Sequence, residues 1–506
     1  MAKIFGMISG ALVRRCSGIA AELRFALRPL CSAPGPGYCP TIFALSSGHG
    51  KCGVAVIRVS GPASASALRS LAGMKQALPA PRTAVLHSLL DPGTGEPLDR
   101  GLVLWFPGPH SFTGEDCAEF HVHGGPAVIS GVLQALGSLP GLRPAEAGEF
   151  TRRAFQAGKL DLTEVEGLGD LIHAETEAQR KQALRQMAGD LGRLYQGWCQ
   201  ALTRNLAHME AFIDFSEDEN IEEGVLKQVD VSVEQLREEL EAHLRDGRRG
   251  ERLRSGVQVV IAGETNAGKS SLLNTICQRP AAIVSPVAGT TRDVVETPLD
   301  IGGFPVLLSD TAGLRDTGDS VEREGVRRAR ERVEQADLTV AMLDVAEVPE
   351  DLTRVPHFLP EYLRKVLGVS QRPCLLVLNK TDLLTGEQLD SLRGVLAKAA
   401  GLPPVCLLSC TTGDGLEHFL GVLQKQVEGM CGNPLVGAPS LTQARHRAHL
   451  LRCVEALAQY RHYRELDLAL AAEGLRLGLT SLGRITGRVG AEQILDLVFK
   501  DFCIGK

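Results

Sequence analysis

The chain is poor in aromatic residues. Phe, Trp and Tyr make up 4% of its 506 residues, with only two Trp, so any core must be built from Leu, Val, Ile and Ala. No uncharged apolar run reaches the roughly 18 residues needed to span a bilayer, so no membrane insertion is expected. Excess positive charge is also missing: 54 Lys and Arg stand against 60 Asp and Glu, a net charge of −6. That balance excludes a cationic coat for nucleic acid over the whole surface, though a local basic groove would survive it. Paired cysteine spacing is absent as well. Thirteen cysteines run from Cys16 to Cys503 without a Cys-x-x-Cys, which argues against a zinc site or disulfide scaffold and for a reducing compartment.

What is present is ordinary globular protein, 44% hydrophobic and 23% charged, with length for about three domains. Residues 1–40 are distinct. Lys3, Arg14, Arg15, Arg24 and Arg28 meet one acid, Glu22, and the stretch ends in the breaker-rich APGPGYCP. A positive, acid-poor, potentially amphipathic start is the composition of a mitochondrial transit peptide, and the expected location is the mitochondrial matrix.

From Thr41 the pattern turns to strands, in TIFALSS, GVAVIRVSG, GLVLWFPGP and AEFHVHGGP, and residues 41–158 are expected to form a compact α/β domain. Residues 159–253 read as helical. Leu184, Met187, Leu191, Leu194 and Trp198 recur three and four apart, predicting one apolar seam on one long helix. Residues 254–430 carry the continuous apolar runs of a parallel sheet covered on both faces: VQVVIAG, PVLLSD, LTVAMLD, CLLVLNK and VCLLS. Helices return over 431–506, so the α/β unit reads as an insertion into a helical domain. The stretch Val345–Arg372 is expected to be a surface excursion.

The first strand of the inserted unit runs into Gly263-Glu264-Thr265-Asn266-Ala267-Gly268-Lys269-Ser270 and then the helix-like SLLNTI. This is the G-x-x-x-x-G-K-S phosphate loop in the strand–loop–helix setting it requires. Gly263 and Gly268 let backbone N–H groups face phosphate oxygens, Lys269 adds a point charge, and Ser270 offers a hydroxyl to Mg²⁺. Asp310-Thr311-Ala312-Gly313 follows PVLLS, where the acid can reach the metal and a Gly N–H the γ-phosphate. Asn379-Lys380-Thr381-Asp382 follows CLLVL, and the Asp382 carboxylate can take both N–H donors of a guanine edge, which selects GTP over ATP. Thr290 and Thr291 in GTTRD stand where a loop closes on Mg²⁺. Ser409-Cys410-Thr411 can seat the base. With Ala267, Ser271 and Gly289 these residues form the expected nucleotide-binding set of a GTPase domain. Directly after the DTAG stands Leu314, which cannot orient a water. Another polar group is required, with Arg315, Glu322 and Arg323 as candidates, and another positive charge, which a K⁺ held by Asn266 and carbonyls of Ser285–Thr290 could supply.

Together with these motifs, LWFPGP…SFTGED…HGGP, GEFTRRAF…GKLDL and the terminal FCIGK resemble the TrmE/MnmE tRNA-modification GTPases from about Thr41 onward. The resemblance implies a multidomain α/β architecture: an N-terminal α/β folate-binding-like domain, a helical domain and an inserted Ras-like P-loop GTPase domain. It implies a homodimer whose GTPase domains associate with K⁺ and GTP. It further implies an FAD-dependent MnmG/GidA-type partner, and an aminomethyl-type (in mitochondria taurinomethyl) group at carbon five of the wobble uridine of mitochondrial tRNA. Carried over by motif, Asn266, Ser285, Val287 and Thr290 would line the K⁺ site, Ser270 and Thr291 would hold Mg²⁺, and Glu322 would position the nucleophile through water. Arg58, Glu119, Lys159 and Lys506 would hold a 5-formyl- or 5,10-methylene-tetrahydrofolate, and Cys503 in the tail would serve as nucleophile or acid.

Simpler readings stand beside these. Arg58 alternates with Ile57 and Val59 and could be the outer face of a strand, and Lys159 could be a solvated helix start. His121 and His123 share a strand face, where packing or hydrogen bonding is favoured over metal ligation. Arg248, Arg249, Arg252 and Arg254, with Arg327 and Arg328, are candidate tRNA phosphate contacts, for which a solvated charge run is favoured. The rival function is a mitochondrial ribosome-assembly GTPase switch.

Overall fold

The computed structural model describes residues 40–74, 77–215, 224–246, 248–278, 296–310, 331–368, 372–489, 502 and 505. They fall into two compact units, residues 1–169 with 479–506, and residues 170–478.

The first unit is built on a six-stranded sheet: β1 (Thr41–Leu45), β2 (Cys52–Ser60), β3 (Val85–Leu90), β4 (Pro97–Phe106), β5 (Cys117–Gly124) and β6 (Leu142–Pro144), in the order β3-β4-β5-β2-β1-β6. Neighbours are antiparallel except β1 and β6. Strand alternation decides the faces. Ala55, Ile57 and Val59 of β2 and Ala118, Phe120 and Val122 of β5 are buried against α1 (Ser64–Leu71) and α2 (Pro126–Gly137). Arg58 and Glu119 therefore point to the opposite face. The short helix α3 (Glu149–Gln156) follows, and then α4 (Leu162–Ile172). Strands β3 and β6 were not expected. VLHSLL alternates weakly and LRP has three residues, so neither stands out against a loop.

The C-terminal tail belongs to this unit. Phe502 packs with Val165, Phe155, Leu160 and Leu168. Ser46 Oγ donates to Gly505 O at 2.9 Å, and at φ +100° Gly505 lies so close to β1 that a Cβ would meet Leu45 O at 2.1 Å.

The second unit carries helices before and after a second sheet: α5 (Glu177–Met187), α6 (Asp190–Phe215), α7 (Gly224–Leu244) and α8 (Arg249–Ser255), then α12 (Leu416–Cys431), α13 (Ala444–Tyr463) and the first half of α14 (Leu468–Thr486). The two helical blocks pack together as the insertion reading requires. Tyr460 Oη of α13 and Arg464 Nε, just past its end, donate to Asp230 Oδ1 of α7, the second at 2.8 Å, and Arg476 of α14 pairs with Glu210 of α6 at 2.8 Å.

Between them lie β7 (Val257–Gly263), β8 (Glu296–Ile301), β9 (Phe304–Asp310), β10 (Leu338–Asp344), β11 (Cys374–Asn379) and β12 (Val405–Leu407), ordered β12-β11-β10-β7-β9-β8 and parallel except for β8. Helices α9 (Lys269–Cys277), α10 (Val355–Leu367) and α11 (Gly386–Leu396) complete the α/β layer.

Two expectations are corrected. The long seam is broken: Gly189, at φ +83°, separates α5 from α6, and Leu184 is exposed while Ala183, Gln186, Leu191 and Tyr195 are buried. The stretch Val345–Arg372 is not a surface excursion, because α10 buries Val355, Leu359, Tyr362 and Leu363 against Ala341, Leu343, Leu376 and Leu378 of the sheet. The arginine-rich link is in part paired: Arg248 and Arg249 are exposed, in keeping with the solvated run, while others of the link meet carboxylates. Much of it forms α8, where Arg252 pairs with Asp337 at 2.8 Å and Arg254 with Asp170 at 2.7 Å, and just before it Arg248 pairs with Glu251 at 2.6 Å.

Candidate functional site

The C-terminal ends of the parallel strands bring four sequence motifs to one edge. β7 ends at Gly263 and the phosphate loop opens there. It leads into α9, whose first-turn N–H groups have no partner within the helix and carry a partial positive charge. Asn266 stands exposed at the loop crest in the left-handed region, φ +69°. Lys269 is buried, and its ammonium donates to Gly263 O at 3.0 Å and Glu264 O at 2.7 Å, inside the curl of the loop. Ser270 Oγ donates to Asp310 Oδ2 at 2.7 Å, so the loop hydroxyl and the β9 acid converge. Ser271 follows Ser270 on α9.

The Asn379-Lys380-Thr381-Asp382 and Ser409-Cys410-Thr411 motifs are tied to that loop. Asn379 is almost fully buried, with Nδ2 donating to Ala267 O at 2.8 Å and Oδ1 accepting the Cys410 N–H at 3.2 Å. Gly268 passes so close that a Cβ would sit 2.2 Å from Asn379 Nδ2. Ser409 Oγ donates to Asp382 Oδ1 at 2.5 Å and accepts the Thr411 and Thr412 N–H groups, each at 3.2 Å. Lys380, in the left-handed region, pairs with Asp344 at 2.6 Å. Burial, reinforced by Asp382, pushes the Cys410 thiol up to about 11, so it stays protonated at neutral pH. Ser285, Val287, Gly289, Thr290, Thr291, Thr311, Ala312, Gly313, Leu314, Arg315, Glu322 and Arg323 lie outside the described residues, as do Arg327 and Arg328.

A second polar site lies on the face of the first sheet turned away from α1 and α2. Arg58 and Glu119 are cross-strand partners, and Arg58 Nε and Nη2 donate to Glu119 Oε1 at 3.0 and 2.9 Å. The guanidinium sits 5.4 Å from the centre of the Phe112 ring and 5.9 Å from that of Phe150, within cation–π range. His121 Nε2 approaches Glu119 Oε2 at 3.3 Å and His123 Nδ1 approaches Asp99 Oδ1 at 2.8 Å, so both histidines are engaged in hydrogen bonding. Lys159 is exposed, and its Cε would lie 3.5 Å from a Cβ on Gly114 in the SFTGED loop.

Beneath that loop the buried Arg153 links Glu115 at 3.0 Å, Glu149 at 3.0 Å and Pro40 O at 2.9 Å. Burial alone would raise the Glu149 carboxyl, but Arg143, the Glu146 N–H and Arg153 outweigh it and hold the pKa below the ordinary value. Phe112, Phe150, Glu115 and Arg153 were not singled out from sequence. Their signal was membership of the SFTGED and GEFTRRAF motifs, which carry no spacing that assigns a role. Cys503 and Lys506 lie outside the described residues. Among the described residues no group of three or more His, Cys, Asp or Glu could hold a metal ion, and no helix is long and apolar enough to cross a membrane.

A model of the MnmE helical domain matches residues 162–503, and a model of the N-terminus of the GTP-binding protein TrmE matches residues 41–159. The chain is 66% identical over 501 residues to a mitochondrial 5-taurinomethyluridine-tRNA synthase subunit of Danio rerio, covering 99% of each. The corresponding subunit of Homo sapiens is 59% identical over 495 residues, covering 96% of this chain and 99% of that one. The tRNA modification GTPase MnmE of Paramagnetospirillum magneticum is 50% identical over 466 residues, covering 92% and 99%. The nucleotide cleft and the polar site thus stand in one chain that both models and near full-length relatives match: it belongs to the TrmE/MnmE family of GTP-binding proteins.

Proposed function

We propose that this chain hydrolyses GTP as the motor of a tRNA modification. With an FAD-dependent MnmG/GidA-type partner, it would install a folate-derived taurinomethyl group at carbon five of the wobble uridine of mitochondrial tRNAs, in the matrix. The observation that carries the reading is 66% identity, over 99% of the chain, to a relative named for that product. The cleft supplies the GTPase half: a phosphate loop, an Asp310–Ser270 pair and a guanine-selecting Asp382 on one edge.

The chemistry of the donors fits the expected groups. Ser270 Oγ and the Asp310 carboxylate are the hard oxygen atoms that Mg²⁺ takes, with Thr291 proposed beside Ser270. Bound there, Mg²⁺ neutralises charge on the phosphate oxygens. K⁺ is proposed on Asn266, Ser285, Val287 and Thr290, and Glu322 is proposed to position the attacking water in the place of a glutamine. In the first unit, Arg58 and Lys159 supply cations for a formyl-tetrahydrofolate or methylene-tetrahydrofolate, with Lys506 proposed beside them. Glu119 suits the donor edge of a pterin, and Phe112 and Phe150 suit its flat face. Cys503 is proposed to act on the one-carbon unit. Residues 1–40 are proposed as the transit peptide and 41–158 as the folate-binding and dimerisation domain. Residues 159–253 and 431–506 are proposed as the helical domain and 254–430 as the GTPase domain.

The test is mass spectrometry of wobble uridines in mitochondrial tRNAs after depletion of this protein. Loss of the taurinomethyl group with ribosomal subunits intact is the expected result. Unchanged uridines with defective subunits would instead leave a ribosome-assembly switch, a reading the relatives do not favour.

A further inference from the structure

The helix α10 meets the nucleotide cleft from behind. Gly263, where β7 becomes the phosphate loop, lies against β10 so tightly that a Cβ would stand 2.2 Å from Met342 O. The Tyr362 hydroxyl donates to that same Met342 O at 2.6 Å. It would also be 3.2 Å from a Cβ on Gly263, and the Glu264 N–H faces it. Tyr362 is 5% exposed, so these polar atoms have little access to water. One turn on, Lys365 Nζ reaches Glu264 Oε1 at 2.5 Å. Glu264 is the first variable residue of the phosphate loop, and its own carbonyl holds Lys269 Nζ. Met342 supports the other end of the loop too, because its Cε lies 3.3 Å from a Cβ built on Gly268.

We propose that α10 sets the position and charge of the phosphate loop, with Tyr362 as a positioning residue for GTP and Lys365 neutralising the Glu264 carboxylate that would otherwise repel the triphosphate. Two physical effects are separable. The hydroxyl fixes where the loop begins by holding Met342 O at the point where only glycine fits. The ammonium removes a negative charge from the rim of a polyanion site. Glu347 and Asp344 lie in the same field, and burial together with Glu264 and Asp344 raises the Glu347 carboxyl. Lys365 and Lys380 are the cations set against them. The Lys365–Glu264 pair is exposed on the lysine side and adds little to folding. Its effect falls on ligand charge.

The test uses the full chain and titrates GTP and GDP against Tyr362→Phe, Lys365→Gln, Glu264→Gln and the double variant Glu264→Gln/Lys365→Gln. Removing the hydroxyl should weaken GTP about five-fold, the worth of one neutral hydrogen bond, and the loss should appear in KM rather than kcat. Lys365→Gln should weaken GTP by about two- to three-fold at low ionic strength and less at high, and by more for GTP than for GDP. The double variant should recover the starting affinity. Tyr362→Phe with a lower unfolding temperature but unaltered nucleotide affinity would reduce Tyr362 to packing. A double variant as weak as Lys365→Gln alone would overturn the charge argument.

Discussion

Asn379 holds Ala267: the side-chain amide on the base-recognition strand donates to the carbonyl in the middle of the phosphate loop at 2.8 Å. Because its oxygen also takes the Cys410 N–H, one buried side chain joins the two halves of the nucleotide site. Asn379→Ala leaves buried polar groups on both loops without partners, at about 1–3 kcal/mol each. GTP affinity should fall by roughly 10- to 100-fold, as read by titration calorimetry, with most of the helical content retained.

Hydrolysis should be faster in K⁺ than in Na⁺ at equal ionic strength and absent in Lys269→Ala. Glu322→Ala should slow turnover strongly while still binding GTP. Equal rates in the two salts, measured by phosphate release, would remove the alkali ion from the proposed mechanism.

Folate and GTP should be separable by mutation. Arg58→Ala removes a cation held between two aromatic rings and leaves Glu119 without its guanidinium. Folate binding, followed by fluorescence quenching, should be lost while GTP turnover without folate persists. Cys503→Ser should keep GTP turnover and abolish the uridine product. Normal tRNA in that variant would make Cys503 a packing residue.

An acid-sensitive group lies in the helical block. Burial lowers the pKa of His243 from 6.5 to about 4, with His446 and Arg447 acting in the same direction and Asp246 against. Its ring packs edge-on to Tyr195 and Trp198, and its Nε2 lies 3.5 Å from Tyr195 Oη. Between those two values the unfolded chain binds the proton and the folded chain does not, so stability rises with pH. The contribution is whole above about 6.5 and falls away towards 4, by roughly 3 kcal/mol at most. His243→Phe should flatten urea midpoints across that range. A midpoint curve matching that of the unsubstituted chain would assign the acid sensitivity elsewhere.

The phosphate loop, Asp310, Asn379 and Ser409 were legible because nucleotide chemistry fixes residue type and spacing together. Their mutual hydrogen bonds were not, since Asn379 and Ala267 are 112 residues apart. Helix α10 was hidden by its prolines. Pro356 sits in the first turn, where no N–H is needed, and Pro360 lies inside the helix, so VPHFLPEYL reads as broken although Leu359, Tyr362 and Leu363 bury one face. The partners of the arginines around α8 were hidden for a similar reason: Asp170 and Asp337, which take two of them, are 84 and 85 residues away. Arg58 was found through motif likeness, while the rings flanking it required the fold.

The meeting of Ser46 with Gly505 across 459 residues of chain makes the first unit discontinuous in sequence. Its sheet comes from residues 41–144, while the Gly505 acceptor and the buried Phe502 ring come from beyond the whole second unit. An excised fragment ending near residue 169 would keep every strand of that sheet and lose both of these contacts.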